Sequence, residues 1–503
     1  MTEKQKKRSL LASFPRTFWV ANIMELFERG AYYGMNAVLG YYLVKELLFQ
    51  EEAVGILQGF VYALTYIMPI IGGALAERLG YRRMLLVAFS LLSIGYFVTG
   101  NFDSYGMIFA FLLVMATGSG LFKPIITGTV ARMTTEETSG FGFGLYYWCI
   151  NLGAFLGPLF VSWIKGFSWK YVFFSSALWC FLMLFPALFF YKEPEKPVST
   201  KPIRQVLRDA LLVLRDSRFV LMIVIYSCFW IIYFQNFGTV LWYLRDFIHR
   251  APVDRFMSKL GIRFTFDVEH VTVINAGTII LLVVFISWVV KKLKPLPVMS
   301  AGIIIGSVGF LILALSRNPW MFILGIAVFS VGEMTAHPKY YSYIGTVAPQ
   351  DKKAVYMGYA FLYGVFGSLI GTNLGAALYE RIVKPVVPSP EAVSSGIPIS
   401  SAAASQVRLF WLIFAGLGVV SLLGMLLYNR YFSQDTPEAN QRAWRIMLAI
   451  YILLAACGVC FLVYVLFIAP EIKWTTLVQS LIMLGLGGGG IAISLKRESS
   501  AHA

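Results

Sequence analysis

Met24-Glu-Leu-Phe-Glu-Arg-Gly-Ala-Tyr-Tyr-Gly34 lies inside an otherwise apolar run, and its reading decides how the rest of the chain is read. Glu25, Glu28 and Arg29 stand where a spanning helix would meet lipid. On a helix of about 100° per residue these three, with Tyr32 and Tyr33, fall within roughly 140° of one another, a polar stripe on an apolar rod. An ionised side chain at bilayer depth costs roughly 2.5 to 3.5 kcal/mol on insertion scales, so such a stripe needs an inner cavity to face. Glu25 and Arg29, spaced i,i+4, could neutralise each other as a purely structural pair, which would leave Glu28 without a partner.

Working outward, the class follows from composition: 503 residues, 58% hydrophobic and only 14% charged, describe an all-α integral membrane protein. Apolar runs predict fourteen spanning helices, at 17-44, 54-76, 84-100, 105-131, 142-166, 170-191, 219-244, 271-292, 297-316, 320-345, 354-380, 407-430, 443-469 and 474-495. The formal charge of +16 is spread over the turns between these runs, which fits the positive-inside rule and not a nucleic-acid surface. Lys4 to Arg16, Arg78 to Arg83, Lys192 to Arg218 and Lys291 to Lys294 fall on one side, while Glu51, Glu52 and Asp103 fall on the other. Both termini are therefore predicted to be cytoplasmic, in the inner membrane if the source is a bacterium, and the first helix is expected to remain uncleaved because no A-x-A-like site precedes it. All five cysteines lie in predicted spans, so no disulfide framework is read, and Cys457-x-x-Cys460 is taken as a coincidence of spacing.

The second helix ends in Gly72-Gly73-Ala-Leu-Ala-Glu77-Arg78-Leu-Gly80-Tyr-Arg82-Arg83. Small residues allow two backbones to approach, and Glu77 with Arg78, Arg82 and Arg83 can form a charge relay on the cytoplasmic side. This end resembles the loop motif of the major facilitator superfamily, with Glu77 where Asp is commoner. The resemblance implies two six-helix bundles, here 1-191 and 219-431, joined by a linker at 192-218 and followed by two further helices in 432-503. The linker carries Pro194, Pro197 and Pro202 and then an amphipathic pattern, read either as a helix on the membrane surface or as an ordinary solvated connection.

Further polar groups sit at bilayer depth: Lys123 between Gly120 and Pro124, Asn151 in the fifth span, Gln235 in the seventh, Asn275 in the eighth, and Glu333 in the tenth with His337 one turn on. For Asn151 a neighbouring helix and a substrate are both open as partners, and for His337 polar packing and proton movement are both open. Glu25-x-x-Glu28-Arg29-x-x-Tyr32-Tyr33-Gly34, Tyr66, Lys123-Pro124, Ile150-Asn151-x-Gly153 and Gly332-Glu333 together resemble the proton-coupled oligopeptide transporter family over about the first 430 residues. The resemblance implies proton coupling and peptide carboxylate binding at Glu25, Glu28, Arg29 and Lys123. It further implies contact of Glu333 with the peptide amino end, and a substrate site that includes Tyr32, Tyr33, Tyr66, Asn151, Gln235 and Asn275.

This chain departs from that family's pattern. Gly30 stands where Phe is usual, Asn36 where a second arginine is usual, and Phe234 where the seventh helix carries an acid, so both partners of an outer gate salt bridge are missing together. Ala360-Phe361-Leu362 replaces Trp-Phe-Leu, Lys339 replaces a small or apolar residue, and the two extra helices are C-terminal where bacterial relatives insert them between the halves. The expectation is a proton symporter of di- and tripeptides or similar zwitterions, working as a monomer by alternating access. A facilitator of an organic anion or drug, or a transport-inactive receptor, stands as the alternative. With four histidines, and no nucleophile-base pair, metal-ligand cluster or cofactor motif, no enzyme is read.

Overall fold

The computed structural model describes residues 14–134, 136–193, 213–290, 292–349, 353–468 and 474–501. The first bundle contains α1 (Arg16–Lys45), α2 (Glu51–Leu79), α3 (Tyr81–Thr99), α4 (Tyr105–Arg132), α5 (Glu136–Ile164) and α6 (Trp169–Leu182). The second contains α7 (Ser217–Tyr233), α8 (His270–Val290), α9 (Pro295–Leu315), α10 (Pro319–Val347), α11 (Leu362–Leu378) and α12 (Ser401–Tyr431). Two more helices, α13 (Pro437–Val463) and α14 (Trp474–Ala501), form a hairpin that packs on α7 and touches α2. Among the described residues thirteen helical segments are long and apolar enough to cross a membrane, which makes this a multi-pass integral membrane protein. To these α1 adds a 30-residue helix, whose apolarity is lowered by its charged stripe.

Within the first bundle α1 packs on α5 and α6, and α4 on α2 and α3; within the second, α9 packs on α10 and α12, and α7 on α11. The bundles meet along two seams, α2 with α11 and α5 with α8. Helix ends follow their local chemistry. Pro15 precedes α1, Ser104 accepts the Met107 amide before α4, Asp216 accepts the Phe219 amide before α7, and Asn318 accepts the Trp320 amide before α10. Gly80, at φ +93°, turns the chain from α2 into α3, a conformation that only glycine adopts without strain.

Two predicted spans are broken. The run expected at 219-244 leaves α-geometry at a 3₁₀ turn over Phe234–Phe237 and resumes as a short helix, Thr239–Phe247. That turn frees the Phe237 carbonyl, which accepts from Gln58 Nε2 of α2 at 2.9 Å. The run expected at 354-380 is Lys353–Tyr359 and then α11, and the Ala360 carbonyl at the break accepts from the Tyr340 hydroxyl at 2.7 Å. The termini and most of the linker expected to carry a surface helix lie outside the described residues, as does the Glu77 side chain. Of the expected relay, Arg82 bonds the Leu188 carbonyl beyond α6, and the Tyr81 amide donates to Glu193 at 2.6 Å. Arg78 is exposed, and Gly72 with Gly73 faces Leu121 and Pro124 of α4.

Candidate transport site

Glu25, Glu28 and Arg29 are all buried, on the face of α1 that meets α4 and α5. Arg29 forms an ion pair with Glu28 and lies 3.5 Å from Glu25 Oε1. Ser119 of α4 closes the cluster: its Oγ accepts from Arg29 Nη2 at 3.3 Å and donates to Glu28 Oε1 at 2.9 Å. Glu25 Oε2 is buried with no hydrogen-bond partner among the described residues. One cation thus serves two acids, and the second acid is only half satisfied. The guanidinium also lies over the rings of Tyr32 (5.1 Å) and Tyr33 (5.9 Å).

Glycine sets how closely this stripe is held. A Cβ on Gly157 of α5 would lie 2.2 Å from the Gly30 carbonyl oxygen, so α1 and α5 touch backbone to backbone. A Cβ on Gly30 would meet the Trp179 ring at 2.8 Å. Trp179 of α6 fills the space that a larger residue at position 30 would need, which accounts for that departure from the family pattern.

Lys123, half-buried on α4, places Nζ 4.9 Å from the centre of the Tyr66 ring and makes no ion pair among the described residues. It is within electrostatic reach of Glu25, Glu28 and Arg29. Across the cavity Glu333 of α10 is also half-buried and unpaired among the described residues; Asn275 of α8 donates to its Oε2 at 2.9 Å and to Ser330 Oγ at 2.9 Å. Tyr33 is within electrostatic reach of both Arg29 and Glu333. Tyr66 crosses from the first bundle to the aromatic wall of the second, with Trp230, Phe234 and Tyr363 at ring distances of 6.4, 6.0 and 5.8 Å.

The other expected site residues are placed differently. Asn151 turns its Nδ2 onto the Tyr147 carbonyl of its own helix at 2.8 Å. Gln235 is wholly engaged: Nε2 donates to the Ile231 and Gly371 carbonyls at 2.7 and 2.9 Å, and Oε1 accepts from Thr239 at 2.9 Å, which pins α7 to α11. His337 stands between two phenols, Tyr226 at 3.3 Å from Nδ1 and Tyr363 at 3.4 Å from Nε2, where a neutral ring can donate at one nitrogen and accept at the other. Tyr363 packs on Trp230 at 4.3 Å, on the side that the missing tryptophan at position 360 was expected to leave open. Lys339 reaches the Leu293 carbonyl at 3.0 Å, a lysine serving the turn between α8 and α9.

Where the gate pair is missing, a different seam is built. Asn36 Oδ1 accepts from the Tyr62 hydroxyl at 2.6 Å, Gln58 donates to that hydroxyl at 3.1 Å, and Phe234 stacks on the Tyr62 ring at 5.2 Å. At the same end Trp242 donates to the Gly40 carbonyl, Thr372 to the Gly55 carbonyl, and Lys384 pairs with Glu51 at 2.5 Å. Lys165, just beyond α5, lies 2.6 Å from both Asp267 and Glu269, which precede α8. Arg250 also pairs with Asp267. Burial alone would raise the Asp267 carboxyl, but Lys165 and Arg250 outweigh it and hold it below the usual carboxylate range. Lys165 is held above its ordinary value, its burial outweighed by Glu269 and Asp267. The bundles are therefore joined at the end that carries the α1–α2, α5–α6, α7–α8 and α11–α12 connections.

Sequence reasoning did not single out Ser119, Tyr62, Gln58, or the set of Lys165, Asp267 and Glu269. Ser119 carried a signal, being a hydroxyl between glycines beside Lys123; the others become visible only when distant helices are brought together.

Two helical bundles that bring buried charges and aromatic rings together where they face each other, and that are joined at one end, have the build of a membrane transporter of the secondary type. The family model described as Major Facilitator Superfamily matches residues 21–372 and 265–496, and the chain belongs to that superfamily. It is a transporter and not an enzyme. Dipeptide and tripeptide permease A of Cronobacter turicensis is 25% identical over 498 residues, covering 85% of this chain and 96% of the relative. Dipeptide and tripeptide permease A of Proteus mirabilis is 34% identical over 183 residues, covering 35% and 37%. A solved POT family transporter in complex with 5-aminolevulinic acid matches with a TM-score of 0.66 and 18% identity, over 83% of this chain and 98% of that one. A nucleoside transporter matches with a TM-score of 0.63 and 15% identity, over 82% and 99%. At these identities the structural likeness is one of fold, and the resemblance to oligopeptide transporters read from the sequence is shared by the relatives found.

Proposed function

We propose that this protein is a proton-coupled symporter of di- and tripeptides or similar small zwitterions. The observation that carries this reading is the placement of Arg29 and Lys123 on the first bundle and of Glu333, held by Asn275, on the second, with Tyr66 joining the two sides through its ring contacts to Lys123, Trp230 and Tyr363. A zwitterion satisfies both walls at once, its carboxylate toward the cations and its ammonium toward Glu333. The permease relatives support the peptide assignment.

Proton coupling follows from charge balance. Glu25, Glu28 and Glu333 against Arg29 and Lys123 leave one acid without a cation, and an uncompensated carboxylate in a low-dielectric site takes up a proton in preference to staying charged. Glu25 and Glu28 share Arg29, which makes this pair the candidate coupling site. Substrate carboxylate arriving at Arg29 and Lys123 competes with that pair for the cations, which links solute binding to protonation. The closed seam at the outer end supports reading this as the inward-facing member of an alternating-access cycle. The charge bias of the turns places both termini in the cytoplasm of an inner-membrane protein. The chain divides as 1-191, 192-218, 219-431 and 432-503, and one copy suffices for transport.

The test is uptake in proteoliposomes with an imposed proton gradient, comparing di- and tripeptides with single amino acids, organic anions and nucleosides. Gradient-driven accumulation of peptides, absent without the gradient, is expected. Accumulation of nucleosides or organic anions with no peptide uptake would overturn the substrate assignment.

A further inference from the structure

At the closed end of the second bundle lies a cavity of about 440 Å³, bounded by the turn between α9 and α10, the start of α12, the helix Thr239–Phe247 and the segment 388–399. Arg317 and Arg408 line it, with His249, and no aspartate or glutamate does. Neither arginine has an ion-pair or hydrogen-bond partner among the described residues, while Glu391, the acid of the bounding segment, is exposed and does not line the cavity. Tyr243 also lines it; this residue is 1% exposed, and its hydroxyl is buried with no hydrogen-bond partner among the described residues. Arg317 is within electrostatic reach of that phenol.

Two guanidinium groups offer donors only, the complement of an oxyanion with several free oxygens. The mouth is apolar: Leu315 and Ile397 are 64% and 58% exposed beside the arginines. We propose that this cavity binds the phosphate group of an organic phosphate ester, with Arg317 and Arg408 as its donors. Phosphate esters reach it from two sources, the headgroup of an anionic phospholipid in the adjoining leaflet or a soluble ester in the outer medium. The site is separate from the central cavity, so its occupancy is measurable without transport.

The probes are glycerol phosphate, added to protein in detergent, and phosphatidylglycerol, compared with phosphatidylcholine in nanodiscs; the readout is thermal unfolding. A ligand that binds only the folded protein raises Tm with its concentration. Stabilisation by at least one probe is expected, with no effect of chloride at matched ionic strength. In Arg317→Gln/Arg408→Gln the midpoint concentration should rise at least tenfold. Stabilisation by phosphatidylglycerol alone assigns the lipid headgroup, and stabilisation by glycerol phosphate assigns a soluble ester; either supports the site. Arg408→Lys, which keeps the charge and loses the planar fork, should fall between wild type and the double variant, and serves if the double variant fails to fold. No stabilisation of wild type by either probe, or an unchanged midpoint in every variant, would overturn the assignment.

Discussion

Lys165→Ala should open the closed end of the protein, and the structure sets the size of the effect. Lys165 Nζ lies 2.6 Å from Asp267 and 2.6 Å from Glu269, and among the described residues it is the only one of the first bundle in that cluster of charges. Glu269 is fully buried, and its Oε1 has no hydrogen-bond partner among the described residues and only His270 Nδ1, at 3.6 Å, beside it, so losing Lys165 leaves a buried charge with an imidazole as its nearest compensation. Breaking a buried ion pair by removing one partner costs about 3 to 5 kcal/mol. Asp267 is 20% exposed and keeps Arg250, so solvent and a second cation absorb part of the loss and about 2 to 3 kcal/mol remains. At about 1.4 kcal/mol per decade the closed arrangement should be disfavoured roughly 30- to 150-fold. The assay is the distance distribution between spin labels at Gln50 and Ser389, both exposed and on opposite bundles at that end. Lys165→Ala should shift population toward longer distances, and adding Glu269→Gln should restore much of the short-distance population because the stranded charge is then gone. If the double variant is as open as Lys165→Ala alone, the reasoning from an uncompensated charge is wrong.

Four further outcomes are expected. Glu28→Gln should abolish proton-driven accumulation while leaving solute exchange; a variant that still concentrates solute with only a proton gradient supplied would place coupling elsewhere. Glu333→Gln should weaken solute binding itself, and Asn275→Ala should do so by a smaller factor, about 1 kcal/mol for one hydrogen bond, read as Kd in equilibrium binding. Asn36→Ala removes one hydrogen bond from a Tyr62 hydroxyl that Gln58 still serves, so transport should fall less than tenfold and less than in Phe234→Ala, which loses the stacked ring; a hundredfold loss in Asn36→Ala would contradict this. Because Asp267 is held below the usual carboxylate range, its contribution to closure is fully present above its ordinary value near pH 4 and is lost only as pH falls through the depressed one. The label distances at the closed end should therefore be the same at pH 8 and pH 5 in a background where Glu25, Glu28 and Glu333 are all replaced by Gln.

The α1 stripe was legible in the sequence because helical periodicity alone puts Glu25, Glu28, Arg29, Tyr32 and Tyr33 on one face, and because bilayer energetics forbids leaving that face in lipid. Span number and the candidate charges Lys123 and Glu333 followed from the same contrast between apolar runs and isolated polar residues. Helix interruptions at Phe234–Phe237 and at Ala360 were not legible: Gln235, Asn236 and Gly238 in the first and Gly358 in the second are also compatible with a continuous span, and the freed carbonyls at both breaks are taken up by donors of other helices, Gln58 and Tyr340. Gln235 shows the same limit, since a buried amide reads identically whether it faces a solute or pins α7 to α11. Gly30 was visible as a departure, but its reason, the Trp179 ring and the backbone of α5, required three helices in register. The replacement for the missing gate pair was the least legible feature, because Lys165 and Glu269 are more than a hundred residues apart and each alone looks like an ordinary loop charge. Sequence settled which groups cannot face lipid, since that depends on one helix and its solvent; tertiary structure decided which groups meet, since that depends on where distant helices cross.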